Sequence, residues 1–270
     1  MNWADFLLVA ACALAAVAVL MVATTLWARA AGRVAVVDVA WGLGFVVVAI
    51  VAALAGFTTA ADGRRWVLLA LVAVWGGRLA WHIRRRAVGH GEDPRYEELL
   101  GGTLDKVGMG VAVRKVFVVQ GMAMWFISLP VILAGSQATR WWAVVVAGAA
   151  VWAVGLVFEA VGDAQLAAYQ ALPREQKPPV LQTGLWRYTR HPNYFGDACV
   201  TWGFWLAGGL ASGWVPALVT VLAPVAMTYF LVFATGAKLL ERTMMQRPGY
   251  PEYAARTSMF VPLPPKKRAD

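Results

Sequence analysis

Between residues 183 and 197 the chain reads Thr-Gly-Leu-Trp-Arg-Tyr-Thr-Arg-His-Pro-Asn-Tyr-Phe-Gly-Asp. Arg187, Arg190 and His191 precede Pro192, which fits the first position of a helix, where its missing N–H costs nothing. The free amides and positive dipole end of that helix add to the three basic side chains. Together they suit an anion. Asn193 can donate and accept, as an amide or a base edge requires. Asp197 lies one helical turn on and shares its face. Tyr188 and Tyr194 flank this cluster. A second group of chemically capable residues lies upstream: Asp38, Trp75, Arg78, Arg84, Arg86, and the run Glu92-Asp93-Pro94-Arg95-Tyr96. Asp163 and Glu241 complete the set. The three His residues (His82, His90, His191) have no metal-ligand spacing, so no metal site is expected. Neither a phosphate loop nor a dinucleotide glycine fingerprint occurs.

The elements that must position these residues are set by composition. Apolar side chains make up 60% of the 270 residues and charged ones 14%, against about 45–50% and about 25% in a soluble domain. That balance excludes disorder, and two cysteines, Cys12 and Cys199, exclude a disulfide scaffold. An all-α, polytopic membrane protein is expected. A hydrocarbon core needs about 20 apolar residues per helix, and about seven stretches qualify: 5–27, 35–56, 66–83, 115–134, 142–163, 194–212 and 214–236. The chain is expected to form one transmembrane domain over 1–270, with a basic tail at 260–270.

Twenty of the 24 Lys and Arg residues fall in one set of alternating loops and three in the other. The positive-inside rule then places the N-terminus outside and the C-terminus in the cytoplasm. Polar and ionisable residues within or beside spans (Asp38, Arg78, His82, Glu159, Asp163, Asn193, Asp197, Glu241) all fall toward the cytoplasmic ends. That pattern argues against a channel lined through its thickness and against a transporter site at the midplane. It fits a pocket open to the cytoplasm, polar at the mouth and apolar further in. Blander roles stand beside this: Arg78 could simply pair with Asp38, Glu241 with Lys238 or Arg242, and the basic loops with anionic lipid headgroups.

Residues 184–196 resemble the signature of bacterial membrane proteins grouped with the steroid 5α-reductase C-terminal domain. Three further stretches resemble the same group: Val37–Phe45; Arg78-Leu79 with Arg84, Arg86 and 91–96; and Leu240-Glu241 with 248–253 and Arg256-Thr257. The likeness extends from about residue 33 to 264. It implies a seven-helix reductase of the bacterial inner membrane that uses NADPH to saturate an activated C=C bond of a lipid, sterol-like or isoprenoid substrate. It assigns the cofactor to Arg78, Arg84, Arg86, Asp93, Arg95, Tyr96, Asp163, Arg187, Tyr188, Arg190, His191, Asn193, Asp197 and Glu241. The mammalian steroid reductases hold the substrate carbonyl with a Tyr and a Glu. Asp38 stands where the Glu would be, and Trp75 or Trp41 occupies the region of the Tyr, so the expected catalytic set is Asp38, Trp75 and Tyr194. The core Arg190-His191-Pro192-x-Tyr194-x-Gly196 also resembles the S-adenosylmethionine segment of isoprenylcysteine and phospholipid methyltransferases. Methyl transfer is therefore the alternative reaction, and a lipid-binding protein without catalysis the non-enzymatic one. NADPH carries several negative charges and S-adenosylmethionine is near neutral, so the basic mouth favours NADPH. Partners are a lipid substrate and the membrane; nucleic acid is not expected.

Overall fold

The computed structural model describes residues 1–56, 62–234 and 236–266; Lys267 and Arg268 of the expected basic tail lie outside them. Among the described residues the secondary structure is helical, with one isolated bridge between Thr189 and Ser258. Six helical segments are long and apolar enough to cross a membrane: Trp3–Ala31, Val36–Ala55, Arg64–Ala87, Met109–Ile127, Trp142–Gln170 and Trp214–Met244. The protein is thus an integral membrane protein. The expected stretch 194–212 is helical but is not among the six. It consists of a 13-residue α-helix (Pro192–Phe204), a π-helical segment (Trp205–Gly209) and a 3-10 turn (Leu210–Ser212) that ends at Gly213 with φ 119°. Asn193 and Asp197 make its opening turns polar, which lowers its apolarity below that of the other six.

The chain divides into two compact units. The first comprises Met1–Val145 and Trp205–Ala223. It contains α1 (Trp3–Ala31), α2 (Val36–Ala55), α3 (Arg64–Ala87), α4 (Pro94–Leu100), α5 (Leu104–Val107), α6 (Met109–Ala112), α7 (Val118–Ile127) and α8 (Leu129–Ala134). On α1, Val9, Ala13, Val17, Met21 and Ala28 are buried while Leu7, Leu8, Val19, Val22 and Leu26 are exposed. Both faces are apolar because the outer one meets lipid, so polarity does not mark the buried face. Helices α2 and α3 pack antiparallel with backbones nearly touching. A Cβ on Gly42 would lie 2.5 Å from the Gly76 carbonyl oxygen, and one on Gly76 would lie 2.5 Å from that of Gly42.

In lipid, every backbone polar group needs an internal partner, and Arg64 supplies several. It is fully buried; Nη1 donates to the carbonyls of Ala207 (3.2 Å) and Gly208 (3.0 Å) and to Ser212 Oγ (2.8 Å), and Nη2 to the Gln137 carbonyl (2.9 Å). The first acceptors belong to the π-helical and 3-10 turns, where the regular ladder is broken. Nearby Asp62 would rise in pKa through burial alone. Thr139 donates to it through both hydroxyl and amide at 2.8 Å, and these bonds hold the carboxyl below its ordinary value.

The second unit comprises Val146–Phe204 and Pro224–Asp270. It contains most of α9 (Trp142–Gln170), α10 (Pro192–Phe204), α12 (Leu222–Tyr229) from Pro224 onward, α13 (Ala237–Met244) and α14 (Tyr250–Arg256); α11 (Trp214–Thr220) belongs to the first. Helices α9 and α10 meet along a glycine seam. A Cβ on Gly203 would fall 2.7 Å from the Gly148 carbonyl oxygen, one on Gly196 2.5 Å from that of Gly155, and one on Gly162 3.1 Å from Pro192. Gly148, Gly155 and Gly162 recur at a seven-residue spacing and so share one face of α9. The contact at Gly155 is backbone on both sides: its Cβ would also stand 2.7 Å from the Val200 amide. Gly155→Val must separate the two helices and is expected to cost about 1–3 kcal/mol, read as a lowered melting temperature in detergent. Gly77→Val, where a Cβ meets nothing within 4 Å, is the matched control and leaves it nearly unchanged.

Candidate functional site

The chemically capable residues gather into two clusters, one in each unit. In the first unit the centre is Asp38, in the first turn of α2. Tyr96 of α4 donates its hydroxyl proton to Asp38 Oδ1, and Gln120 Nε2 donates to the Tyr96 oxygen at 3.0 Å. Arg95 Nη2 reaches Asp38 Oδ2 at 3.4 Å while its Nε and Nη2 chelate Asp93 at 2.7–3.1 Å. Asp93 also caps α4 through the Arg95 amide at 2.9 Å. That double use is why an Asp precedes Pro94 here: the side chain satisfies a free helix amide while Pro94 occupies a position that has no amide to satisfy.

The electrostatics follow from this geometry. Bonds from the Arg95 side chain hold the Asp93 carboxyl below its ordinary value, and Asp93 in turn holds Arg95 more firmly protonated. Burial, reinforced by the Asp38 carboxylate, pushes the Tyr96 phenol well above its ordinary value of 10.0. Tyr96 is 7% exposed, whereas the Asp38 side chain is 27% exposed. A neutral, buried phenol thus sits on a carboxylate that touches solvent.

Tyr96, expected among the cofactor ligands, is hydrogen-bonded to Asp38. The expected catalytic residue Trp75 is fully buried, its ring edge-on to Phe45 at 5.2 Å, and Phe45 is edge-on to Trp41 at 5.3 Å. Arg78, one turn beyond Trp75, is partly buried, while Arg84 and Arg86 are exposed at the end of α3. Gln120 escaped sequence reading because a lone Gln in an apolar helix carries no motif. Glu92 takes a role of its own: its carboxylate accepts from the amides of Val34 and Ala35, the latter at 2.9 Å.

In the second unit the centre is Glu241. Its Oε1 accepts from Arg190 Nε (2.6 Å), His191 Nε2 (3.0 Å) and the Tyr250 hydroxyl (3.3 Å), and its Oε2 accepts from Arg190 Nη2 (2.9 Å). Arg190 Nη1 donates to the carbonyls of Ala254 (2.8 Å) and Thr257 (2.5 Å). Glu241 raises Arg190 above its ordinary value even though burial opposes it. Burial and Glu241 together push the Tyr250 phenol up. Most of the N–H groups of Arg190 are therefore spent on the protein, and it works as a strap for residues 254–257. Glu241 bonds neither of its neighbours Lys238 and Arg242 in this arrangement; its partners come from residues 50 positions away and more, and from Tyr250.

The rest of the 184–197 segment is built around this strap. Trp186 Nε1 donates to the Gly162 carbonyl (3.1 Å), Leu185 N to Gln165 Oε1 (3.0 Å), and the Tyr253 hydroxyl to the Trp186 carbonyl (2.5 Å). His191 and Tyr194 stack with centroids 5.4 Å apart and planes within 9°. Asn193 Nδ2 donates to the buried Asp163 at 3.1 Å, across the glycine seam. Asp197 follows one turn along α10, partly buried. Arg187 and Tyr188 are exposed. Among the described residues no group of His, Cys, Asp and Glu is placed to hold a metal ion.

The family follows from the chain as a whole. Residues 3–257 match a single family model, described as a protein of unknown function (DUF1295). The chain belongs to the DUF1295 family. No curated protein and no solved structure matches it. Both clusters lie inside the matched residues, as do all six membrane-spanning segments.

Proposed function

We propose that this DUF1295 protein is a membrane-embedded, NADPH-dependent reductase that saturates a C=C bond conjugated to a carbonyl in a lipid, sterol-like or isoprenoid substrate. The observation that carries the reading is the buried Tyr96 hydroxyl held between Asp38 and Gln120. The resemblance to the steroid 5α-reductase group supplies the reaction class. The proposal retains residues 194–212 as a seventh crossing, the N-terminus outside, the C-terminus in the cytoplasm, and the bacterial inner membrane as location.

The donor set fits an anionic, hydrogen-bonding cofactor. Arg84 and Arg86, at the end of α3 in the unit that holds Tyr96, are exposed guanidinium groups, suited to phosphate. Residues 187–197 are the proposed cofactor segment on the strength of the resemblance. Bound NADPH would supply a hydride to the β-carbon of the substrate. An electron pair then moves onto the substrate carbonyl oxygen, where a positioned acid is most effective. Tyr96 gives its hydroxyl proton to that oxygen, exchanging its bond to Asp38 for one to the substrate. Gln120 stabilises the phenolate by donating to it. Asp38, partly open to solvent, relays a proton from solvent water to the Tyr96 phenolate and is left a carboxylate as before, and the enol tautomerises to the saturated carbonyl product.

The test is ligand-induced stabilisation of the detergent-purified protein. NADPH at a hundredfold excess over its Kd should add about 2.7 kcal/mol. Stabilisation by S-adenosylmethionine with none by NADPH would replace the reductase with the methyltransferase reading, which the Arg190–Gly196 core supports.

A further inference from the structure

Helix α2 begins without a cap. Its N-cap position is Ala35, whose side chain can accept nothing, and the preceding residues are Arg33 and Val34. A helix start leaves amides without partners, and inside a membrane protein such groups must be met by the fold. Glu92 meets them from 57 and 58 residues away, one carboxylate oxygen on each of the amides of Val34 and Ala35. Its negative charge also sits at the positive end of the α2 dipole. The reverse contact is made by Arg33. Its Nη1 donates to the carbonyls of His90 (2.7 Å) and Ala87 (3.3 Å), at and just beyond the end of α3. Two connecting turns, 32–35 and 87–93, thus clasp each other through two long-range charged contacts.

That clasp lies between the elements that carry the Tyr96–Asp38 pair. Asp38 is three residues past Ala35, and Tyr96 is four past Glu92 with only Asp93, Pro94 and Arg95 between. Glu92 further accepts from the Asp93 amide at 3.1 Å, which fixes the entry into α4. Neither side chain touches Tyr96 or Asp38 in any bond described for them. We infer that Glu92 and Arg33 are positioning residues: by locking the turn before α2 to the turn before α4, they set the register at which the Tyr96 hydroxyl meets Asp38.

The inference rests on the reductase reading for its catalytic meaning, yet its geometry can be tested without turnover. The probe is the full-length protein in detergent with its seven tyrosines replaced by 3-fluorotyrosine, the Tyr96 fluorine resonance being assigned by its absence in Tyr96→Phe. Glu92→Gln removes the charge and turns one of the two acceptors into a donor facing an amide. The expected result is a shift of the Tyr96 resonance by more than its linewidth, with the other resonances in place. Glu92→Asp, one methylene shorter, should give a smaller shift as a partial rescue. Arg33→Gln leaves the α2 cap intact and serves if the Glu92 variants do not fold; it should move the same resonance. A folded Glu92→Gln or Arg33→Gln protein with a lowered melting temperature and an unmoved Tyr96 resonance would overturn the inference, because the clasp would then be structural alone. Under the reductase reading, kcat falls in these variants while NADPH affinity stays unchanged. A shifted Tyr96 resonance in a protein that never binds NADPH would keep the clasp and discard the reductase.

Discussion

In the proposed reaction Tyr96→Phe lowers turnover by about 10²- to 10⁴-fold, the usual contribution of a positioned general acid, and leaves NADPH affinity within about twofold. The phenyl ring keeps the packing of a residue that is 7% exposed, so the variant removes one oxygen and its proton. It also strips Asp38 Oδ1 of the Tyr96 donor, leaving Arg95 on Oδ2, and strips Gln120 of its acceptor, which costs about 1–3 kcal/mol of stability. Single-turnover measurement separates the two: chemistry slows while the protein stays folded and loaded. Turnover unchanged in Tyr96→Phe would remove the phenol from the mechanism.

The same residue makes a signed prediction for pH. Burial and Asp38 raise the Tyr96 phenol above 10.0 in the folded state. A group whose folded value is raised binds its proton more tightly in the native state, so its contribution is complete below the unfolded value and is lost as pH climbs above it. Stability should therefore decline above about pH 10, and less steeply in Tyr96→Phe. Tyr250 and Tyr253, also raised by burial, leave a residual slope in that variant. Asp93 acts at the other end. Arg95 lowers it from 3.8, so its contribution is present above that value and is lost as pH falls through it toward the folded value. Asp93→Asn flattens that acid limb and leaves the alkaline one alone.

The sequence carries the membrane architecture because that depends on local quantities. Apolar runs of about 20 residues announce the spans, and six helical segments long and apolar enough to cross a membrane are found among the described residues. The residues at both centres also stand out, since charged side chains are rare in this chain. Their roles were hidden because each is settled by a partner 50 or more residues distant. Asp38 offers no local hint that it pairs with Tyr96, and Trp75, the aromatic expected beside it, packs edge-on to Phe45 instead. Glu241 has Lys238 and Arg242 within one turn, yet Arg190 and His191 claim it. Two signals were present and unread. Ala35 at the start of a helix with no Ser, Thr, Asp or Asn before it is a missing cap, and a missing cap inside a membrane protein asks for a remote acceptor such as Glu92. Glycines at 148, 155 and 162, matched by 196 and 203 at the same spacing, announce a close helix pair, and that pair carries Asp163 opposite Asn193.

Glu241→Gln is expected to destabilise the second unit by about 3–5 kcal/mol, the cost of removing one partner from a buried charged pair. The carboxylate meets four donor atoms from three residues, and its side chain is 11% exposed while that of Arg190 is 10% exposed. An amide oxygen can replace one acceptor, but the amide nitrogen must then face an Arg190 or His191 N–H, and Arg190 keeps its charge with no counterpart. The consequence reaches beyond the pair. Arg190 is the strap that holds the carbonyls of Ala254 and Thr257, and residues 258–260 lie against Thr189 through the Ser258 bridge and the Thr189 hydroxyl. Loosening Arg190 should release this stretch, so trypsin should cut after Arg256 and Lys266 faster than in the wild type. Arg190→Met adds a discriminating arm. If the two residues act as one unit, the double variant loses less than the sum of the singles, with a coupling of about 0.5–3 kcal/mol. Strict additivity, or a tail cut no faster in either single variant, would mean that residues 254–260 are held by Thr189 and Tyr253 alone and that the charged centre serves the cofactor segment instead.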